Sequence, residues 1–457
     1  MGNVLKIVGA NTINLYDGPI WLYRYTPRAP ETGAVTVTEP LTLRITGDTT
    51  DAIRASLNSI EKAIQDAVLY RLTEGEKGTR TFIKFQPGAA GDTYRSELLN
   101  GPTNLWEQAL GWRWAARSLY IDIQWTRGLR NPPAGAWEAD TAVALTLTNG
   151  GGSSPDGLTL YNHDDAGAGH DNYAAIADSA IVGVLPAPAK IRAYNSYNNA
   201  NEVTHLWIGH GAFMDVTNWP HILEGESAAY VIGAAAPSPD ASCSGGYYQR
   251  ATWASSDETL LYRWDLATSQ VGYAKGKRFR PLARFTGTVP AAYVRLAVTY
   301  PSGSSTVELQ TTDVVLLSAG TLLYDLGEID LPPWLQRESS DWQGVSLSLY
   351  GRKASGGAID LDFVHPMPAD HLRLYRPVSG KGIEYLEELK DDPDTGAVYI
   401  EDASSDKAAF YSVSGSPIML YPGLAQRLYL LARDAGGSAI VRTFIVQAWY
   451  RPRRLTL

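Results

Sequence analysis

Leu119-Tyr120-Ile121-Asp122-Ile123-Gln124-Trp125 puts an apolar residue at every second position, with Tyr, Asp and Gln between them. Successive side chains of a strand point to opposite faces, so this stretch predicts a strand with one dry face. The same period recurs in Leu41-Thr42-Leu43-Arg44-Ile45, in Val294, Leu296, Val298 and Tyr300, in Val345, Leu347 and Leu349, and in Ile359, Leu361 and Phe363. Clusters of Gly, Pro, Ser and Asp separate these runs, as hairpin and Greek-key connections require. The chain therefore reads as mainly β.

One segment breaks the period. Ile53, Leu57, Ile60, Ile64 and Val68 recur at spacings of four, three, four and four, which makes a single apolar stripe on a helix. Thr49 or Thr50 can cap its N-terminus, Asp51 sits in the first turn, and Gly75 follows the last. The other face carries Arg54, Asn58, Glu61, Lys62 and Gln65, so it meets water or a polar neighbour. One amphipathic helix among strands implies a barrel or sheet with a helix on one flank.

The 457 residues exceed one ordinary core and imply several domains. Composition shifts divide the chain into a helix-bearing β domain at 1–135, ending near Asn131-Pro132-Pro133, and a linker with a long loop at 136–185. A β-sandwich begins at 186–234, after Leu185-Pro186-Ala187-Pro188-Ala189. A jelly-roll-like sandwich is inserted at 235–375, and 376–457 completes the second domain.

With 44% apolar and 19% charged residues, the chain has enough apolar surface to fold. Its least polar run, Ala228 to Pro237, is about half of the ~20 residues a spanning helix needs, so no membrane partner is expected. Met1-Gly2-Asn3-Val4-Leu5-Lys6 lacks a secretory pattern, and synthesis in a cytosol is expected. Lys plus Arg total 39 against 48 Asp plus Glu, a net charge of −9, which opposes general nucleic-acid binding. A single cysteine, Cys243, excludes an internal disulfide and a cysteine-based zinc site. The aromatic set is weighted to 13 Trp and 26 Tyr over 8 Phe, a choice that fits sheets whose faces or rims meet something wet.

Few constellations carry chemistry. Asn162-His163-Asp164-Asp165 and His170-Asp171-Asn172 could offer nitrogen and oxygen to a divalent cation, calcium over zinc, but their spacing fits a Gly-rich loop of Asx-turns better. Asp392, Asp394 and Gly396 read as a tight hairpin turn. Asp360 and Asp362 share one strand face, read as solvent-facing, and carry a hydrolase alternative that needs two carboxylates around one sugar ring. Glu224 with Glu226 and Asp325 with Glu328 are further pairs expected in any acidic chain. No nucleophile elbow, zinc-protease helix or phosphate loop appears, so neither catalysis nor a cofactor is expected. Tyr247, Tyr248, Trp253, Tyr262, Trp264 and Tyr273 crowd one stretch. Tyr247, Tyr248, Trp253 and Trp264 are the candidate glycan contacts, because indole and phenol faces stack on sugar rings; the competing reading puts these rings in the sandwich core. Lys275, Lys277, Arg278 and Arg280 read as a solvated stretch, and Arg451, Arg453 and Arg454 as exposed or clamping a neighbouring subunit.

Three features together resemble the distal tail and tail-tip structural proteins of long-tailed, siphovirus-like bacteriophages. They are Gly47-Asp48-Thr49-Thr50-Asp51 leading into the helix, the Leu-Pro-Ala-Pro-Ala-Lys-Ile hinge, and the close from Tyr421-Pro422-Gly423 to Arg451-Pro452-Arg453-Arg454-Leu455. The 235–375 block resembles carbohydrate-binding modules. The resemblance implies a non-enzymatic virion protein that self-assembles into a ring, a hexamer by analogy. It would contact other tail proteins, pass DNA through its channel, and be assembled in the host cytoplasm, with exterior aromatic loops open to a host glycan. A stand-alone glycan-binding or adhesin-type sandwich is the alternative.

Overall fold

The computed structural model describes residues 4–455 except 31–33, 35, 89–90, 107–116, 131–135, 164–168, 199–200, 214–218, 268–269, 271–275, 288, 303–304, 333–344, 378–381, 403–405, 408–410 and 435–441. The fold is mainly β, built of several antiparallel sheets with, among the described residues, one long α-helix. The chain divides into two compact units. One comprises 1–143, 181–188 and 450–457, the other 144–180 and 189–449.

The first unit begins with β1 (Val4–Val8), β2 (Thr12–Asn14), β3 (Tyr16–Asp17), β4 (Ile20–Tyr25) and β5 (Val37–Thr46). After α1 (Thr50–Leu72) come β6 (Phe82–Gln86), β7 (Tyr94–Asn100), β8 (Ser118–Gly128) and β9 (Trp137–Ala139). The strands pair in the order β2-β1-β6-β7-β8-β5-β4-β3, and β9 joins β7 to the C-terminal strand Arg453–Arg454. Leu41, Leu43 and Ile45 of β5 lie opposite Ile123, Ile121 and Leu119 of β8, so the alternation that predicted these strands aims both at one core. Leu15 N–H donates to Leu5 O and Leu22 N–H to Leu15 O, which carries the chain from one end of the ladder to the other. Among the described residues these ladders do not close into a barrel, so the open sheet is the form adopted.

Helix α1 lays Ile53, Leu57, Ile60 and Ile64 into that core, while Val68 at the end of the stripe is only partly buried. Thr49 caps it by accepting a hydrogen bond from Ala52 N–H at 3.1 Å. At the other end Gly75 N–H reaches Tyr70 O and Glu74 N–H reaches Arg71 O, a Schellman arrangement whose left-handed residue is Glu74 at φ 51°. The polar face has a polar neighbour within its own unit: Glu61 accepts from Leu105 N–H, and the Arg54 guanidinium lies 4.6 Å from the Trp106 ring centre.

The second unit holds two pairs of sheets. Its principal strands in chain order are β10 (Lys190–Asn195), β11 (Val203–Gly211), β12 (Arg278–Thr286), β13 (Gly357–Pro368), β14 (His371–Pro377), β15 (Gln426–Asp434) and β16 (Thr443–Tyr450). β16 and β10 are adjacent in one sheet; β15, β11 and β14 are adjacent in a second. Residues 144–180, within the stretch read as linker, contribute strands to both. Leu158–Tyr161 pairs with β16 and Tyr173–Ile176 with β15, because Leu158 and Leu160 alternate inward; the glycine run at 150–152 turns a hairpin. In the 235–375 region, β12 and β13 belong to one sheet, and Thr259–Asp265, Tyr293–Ser302 and Ser346–Arg352 to the facing one. The chain crosses between these two sheets at most connections, a jelly-roll-like sandwich. Its core includes Trp253, Trp264, Phe285, Leu296, Leu349 and Leu361.

Candidate functional site

The aromatic block divides by position along its strands. Along Tyr247–Trp253 the inward positions are Gln249, Ala251 and Trp253; Tyr247 shares their phase but, as the first residue of the strand, is 46% exposed, and Tyr248 on the other face is half-buried. Trp253 and Trp264 are 4% and 3% exposed and belong to the sandwich core. The Trp264 ring stacks near Tyr262 at 6.0 Å between centres, and its Nε1–H donates to Glu224 O at 2.8 Å. Neither indole can reach a sugar, which corrects their assignment as glycan contacts: alternation turns both toward the facing sheet. Tyr247 and Tyr248 keep access; Tyr273 lies outside the described residues.

Asp360 and Asp362 are buried, not on the solvent face expected for them. The reason is the covering loop at 240–246. Asp362 accepts from Ser244 N–H at 2.9 Å and faces Arg284 at 2.8 Å, both groups being nearly inaccessible. Gly245 and Gly246 take φ of 61° and 77°, which folds the loop tightly enough that a Cβ on Gly245 would come 3.1 Å from Glu226. Ser244 Oγ donates to Glu224 at 2.6 Å. Desolvation pushes the Asp362 carboxyl up to about 7 against the opposing pull of Arg284 and Ser244, and Glu226 and Asp240 add to the rise. Burial also raises Glu226 and pushes the Cys243 thiol up to about 12. Asp360 is instead gripped by Arg250 through two bonds of 2.6 and 2.7 Å. Each aspartate is thus held by its own arginine from a neighbouring strand, an arrangement that ties strands together.

The remaining polar candidates find partners inside the chain. His163 and His170 lie 3.0 Å apart through Nε2 and Nδ1, with His170 stacked on Tyr161. Asp164 and Asp165 are outside the described residues, among which no group of three or more potential metal ligands converges. Asp392, Asp394 and Gly396 form the expected turn: Gly396 N–H donates to Asp392 O and Asp394 N–H to Asp392 Oδ1. Arg278 pairs with Asp330, Arg280 with Asp325, and Lys277 lies over Phe213; Lys275 is undescribed. Arg453 is buried against Glu138, Arg451 donates to Ala139 O and Asp140 O, and Arg454 covers Tyr94. That triplet is bound within its own chain, because the C-terminal strand adds to β9.

Sequence reading passed over the outer face of the first sheet. Tyr16 of β3 lies opposite Trp21 of β4, Trp21 opposite Arg44 of β5, and Arg44 opposite Tyr120 of β8. These four residues form one row on the face away from the core. Trp21 is 46% and Tyr23 67% exposed, and Tyr23 meets Tyr120 edge to face at 5.0 Å. Beside them a cleft of about 390 Å³ is lined by Arg24, Arg28, Thr42 and Asp122 among others. The signal was present: Trp21 and Tyr120 occupy out-of-phase positions of strands whose in-phase residues are Ile and Leu.

No protein-family model matches the chain, and no curated protein matches its sequence. Among solved structures the chain is similar to one of the phage P2 baseplate in its activated conformation with calcium, at 11% identity and a TM-score of 0.20, over 78% of this chain and 99% of that one. The strontium form of that baseplate gives 11%, 0.20, 77% and 98%. A protein from Parabacteroides distasonis described as secreted gives 10%, 0.16, 55% and 99%. Similarity this slight leaves the fold to be judged from the chain's own ladders.

Proposed function

We propose that this chain is a non-enzymatic structural component of a bacteriophage tail, a distal-tail or tail-tip ring protein that works by self-assembly in the virion. The sequence resemblance supplies the tail setting. The observation that carries the reading is the outer row Tyr16, Trp21, Arg44 and Tyr120 with Tyr23 beside it. Trp, Tyr and Arg are the residues that dominate binding energy at protein interfaces, and here they stand together on rigid strands. In this reading the face binds a second copy of the chain, the ring is a hexamer by analogy, and other tail proteins stack on it. Assembly takes place in the host cytoplasm, and DNA only passes through.

Light scattering coupled to size exclusion tests it. The parent is expected as a closed oligomer, visible as rings in negative stain. Trp21→Ala with Tyr23→Ala should weaken association by roughly 30-fold or more, on the scale of a hot-spot loss of about 2 kcal/mol, with an unchanged melting temperature. A parent that stays monomeric at all concentrations overturns the proposal.

Exposed Tyr247 favours a second reading, glycan contact on the exterior or by a stand-alone adhesin. Glycan-array binding abolished by Tyr247→Ala, in a protein that forms no oligomer, would favour the adhesin.

A further inference from the structure

In the second unit, three neighbouring strands present basic groups in one row. Arg433 of β15 lies directly opposite His205 of β11. The pairing of Leu206 with Tyr375 puts Arg376 of β14 level with His205 on its other side. Like charges opposite one another across a ladder are unfavourable, so such a row needs a counter-charge.

Among the described residues the row has no carboxylate of its own. Among the described residues no carboxylate is within ion-pair distance of Arg376 or Arg433. The nearest acid acting on the row is Asp325, whose oxygens are already occupied. Arg280 Nε lies 2.9 and 2.8 Å from the two of them, Gly327 N–H donates to Oδ1 at 3.0 Å and Trp207 Nε1–H to Oδ2 at 3.2 Å. Arg433 turns to His205 instead, with Nη2 2.9 and 2.8 Å from the two ring nitrogens. A contact nearly equidistant from both nitrogens lies across the imidazole and does not follow one lone pair. Arg433 is half-buried and Arg376 exposed, so the row opens to solvent at one end. Its floor is rigid: Trp207, on the same face, is buried with Leu374 and Leu431.

We propose that Arg376, His205 and Arg433 form an oxyanion-binding site, which takes the phosphate or carboxylate group of an acidic ligand. Two guanidinium forks flanking an imidazole match the geometry of such a group, and an anion there would neutralise both arginines at once. Burial first, and then the two arginines, hold His205 down to about 4, with Asp325 pulling the other way. A bound anion reverses the arginine contribution, so His205 becomes easier to protonate when the site is filled. The site is independent of the assembly face in the first unit.

Titration of the full chain with sodium phosphate, and separately with sodium acetate, at constant ionic strength tests this through the His205 imidazole resonances. Saturable shifts are expected, with an upward displacement of the His205 pKa from about 4 in the bound form. Arg376→Gln, an exposed change that should not disturb folding, should weaken binding by about tenfold. Arg433→Gln should do the same where its melting curve shows a folded protein, and Arg376→Gln decides alone where it does not. Tighter phosphate than acetate binding assigns a phosphate ligand, and the reverse a carboxylate. Unmoved His205 resonances with both anions, or unchanged affinity in Arg376→Gln, overturn the site.

Discussion

Each unit buries arginine–carboxylate pairs, and two of them, one from each unit, are built differently. Glu39 and Arg127 of the first unit lie 2.7 Å apart with neither side chain accessible. Glu39 also accepts from Arg28 N–H at 2.7 Å and Tyr25 OH at 2.6 Å, with Trp125 Nε1 at 3.3 Å. Arg127 donates to Arg28 O at 2.8 Å and lies 4.1 Å from the Trp137 ring centre. Asp362 and Arg284 of the second unit are equally buried at 2.8 Å, but Asp362 gains one backbone donor and stands near Glu226 and Asp240. Two buried charges offset their desolvation only when their remaining lone pairs and protons are satisfied. The Glu39 carboxylate is held by four donors, whereas Asp362 is an acid among acids, its carboxyl raised by burial. One ties strands of a sheet together, and the raised carboxyl of the other predicts a sandwich whose stability depends on pH.

The largest effect should come from breaking the first pair. Glu39→Ala leaves Arg127 buried without its counter-ion, and the first unit should lose about 3–5 kcal/mol in denaturant unfolding. A loss under about 1 kcal/mol would mean that Arg127 escapes to water, and the contrast between the pairs would fail. Trp253→Ala should cost the sandwich a similar ~3–5 kcal/mol through the cavity it opens, whereas Tyr247→Ala should cost little. Equal melting temperatures for those two variants would restore the glycan assignment of Trp253.

The pH test is sharper. Asp362 is raised in the folded state to about 7 from an ordinary value near 3.8, so between those limits the folded protein holds a proton that the unfolded chain has lost. Its contribution to stability is therefore fully present below about pH 3.8 and is lost as pH rises through about 7. Asp362→Asn should flatten that decline in urea midpoints measured from pH 4 to 8, and an unchanged slope would remove Asp362 as its source. The smallest effect belongs to α1. Glu74 occupies a left-handed position that glycine takes without strain, so Glu74→Gly should stabilise the first unit by about 1 kcal/mol, read from its thermal midpoint.

Much of this was readable in the chain. Period-2 runs located β5, β8, β13 and the strands Tyr293–Ser302 and Ser346–Arg352, and the spacing of Ile53, Leu57, Ile60 and Ile64 located α1 with its cap at Thr49. These are local properties, set by how side chains alternate about a strand or wind about a helix. The strands at 158–161 and 173–176 were harder to see, because four residues give too short a pattern beside a glycine-rich run. The candidate site was less legible than the fold. Tyr247, Tyr248, Trp253 and Trp264 look alike as a string, and only packing against the facing sheet separates the exposed tyrosine at the start of its strand from the buried tryptophans. Arg376, His205 and Arg433 are separated by up to 228 residues, and no local pattern joins them.

Residue type and spacing were thus sufficient for the β class, helix α1 and its capping, and the hairpin at Asp392–Gly396, since each depends on neighbours within a few positions. Tertiary pairing alone decided which aromatics are accessible, which arginine neutralises which carboxylate, and where basic side chains gather without one. Those outcomes depend on strand register between distant segments, and a shift of a single residue would turn every side chain involved to the opposite face.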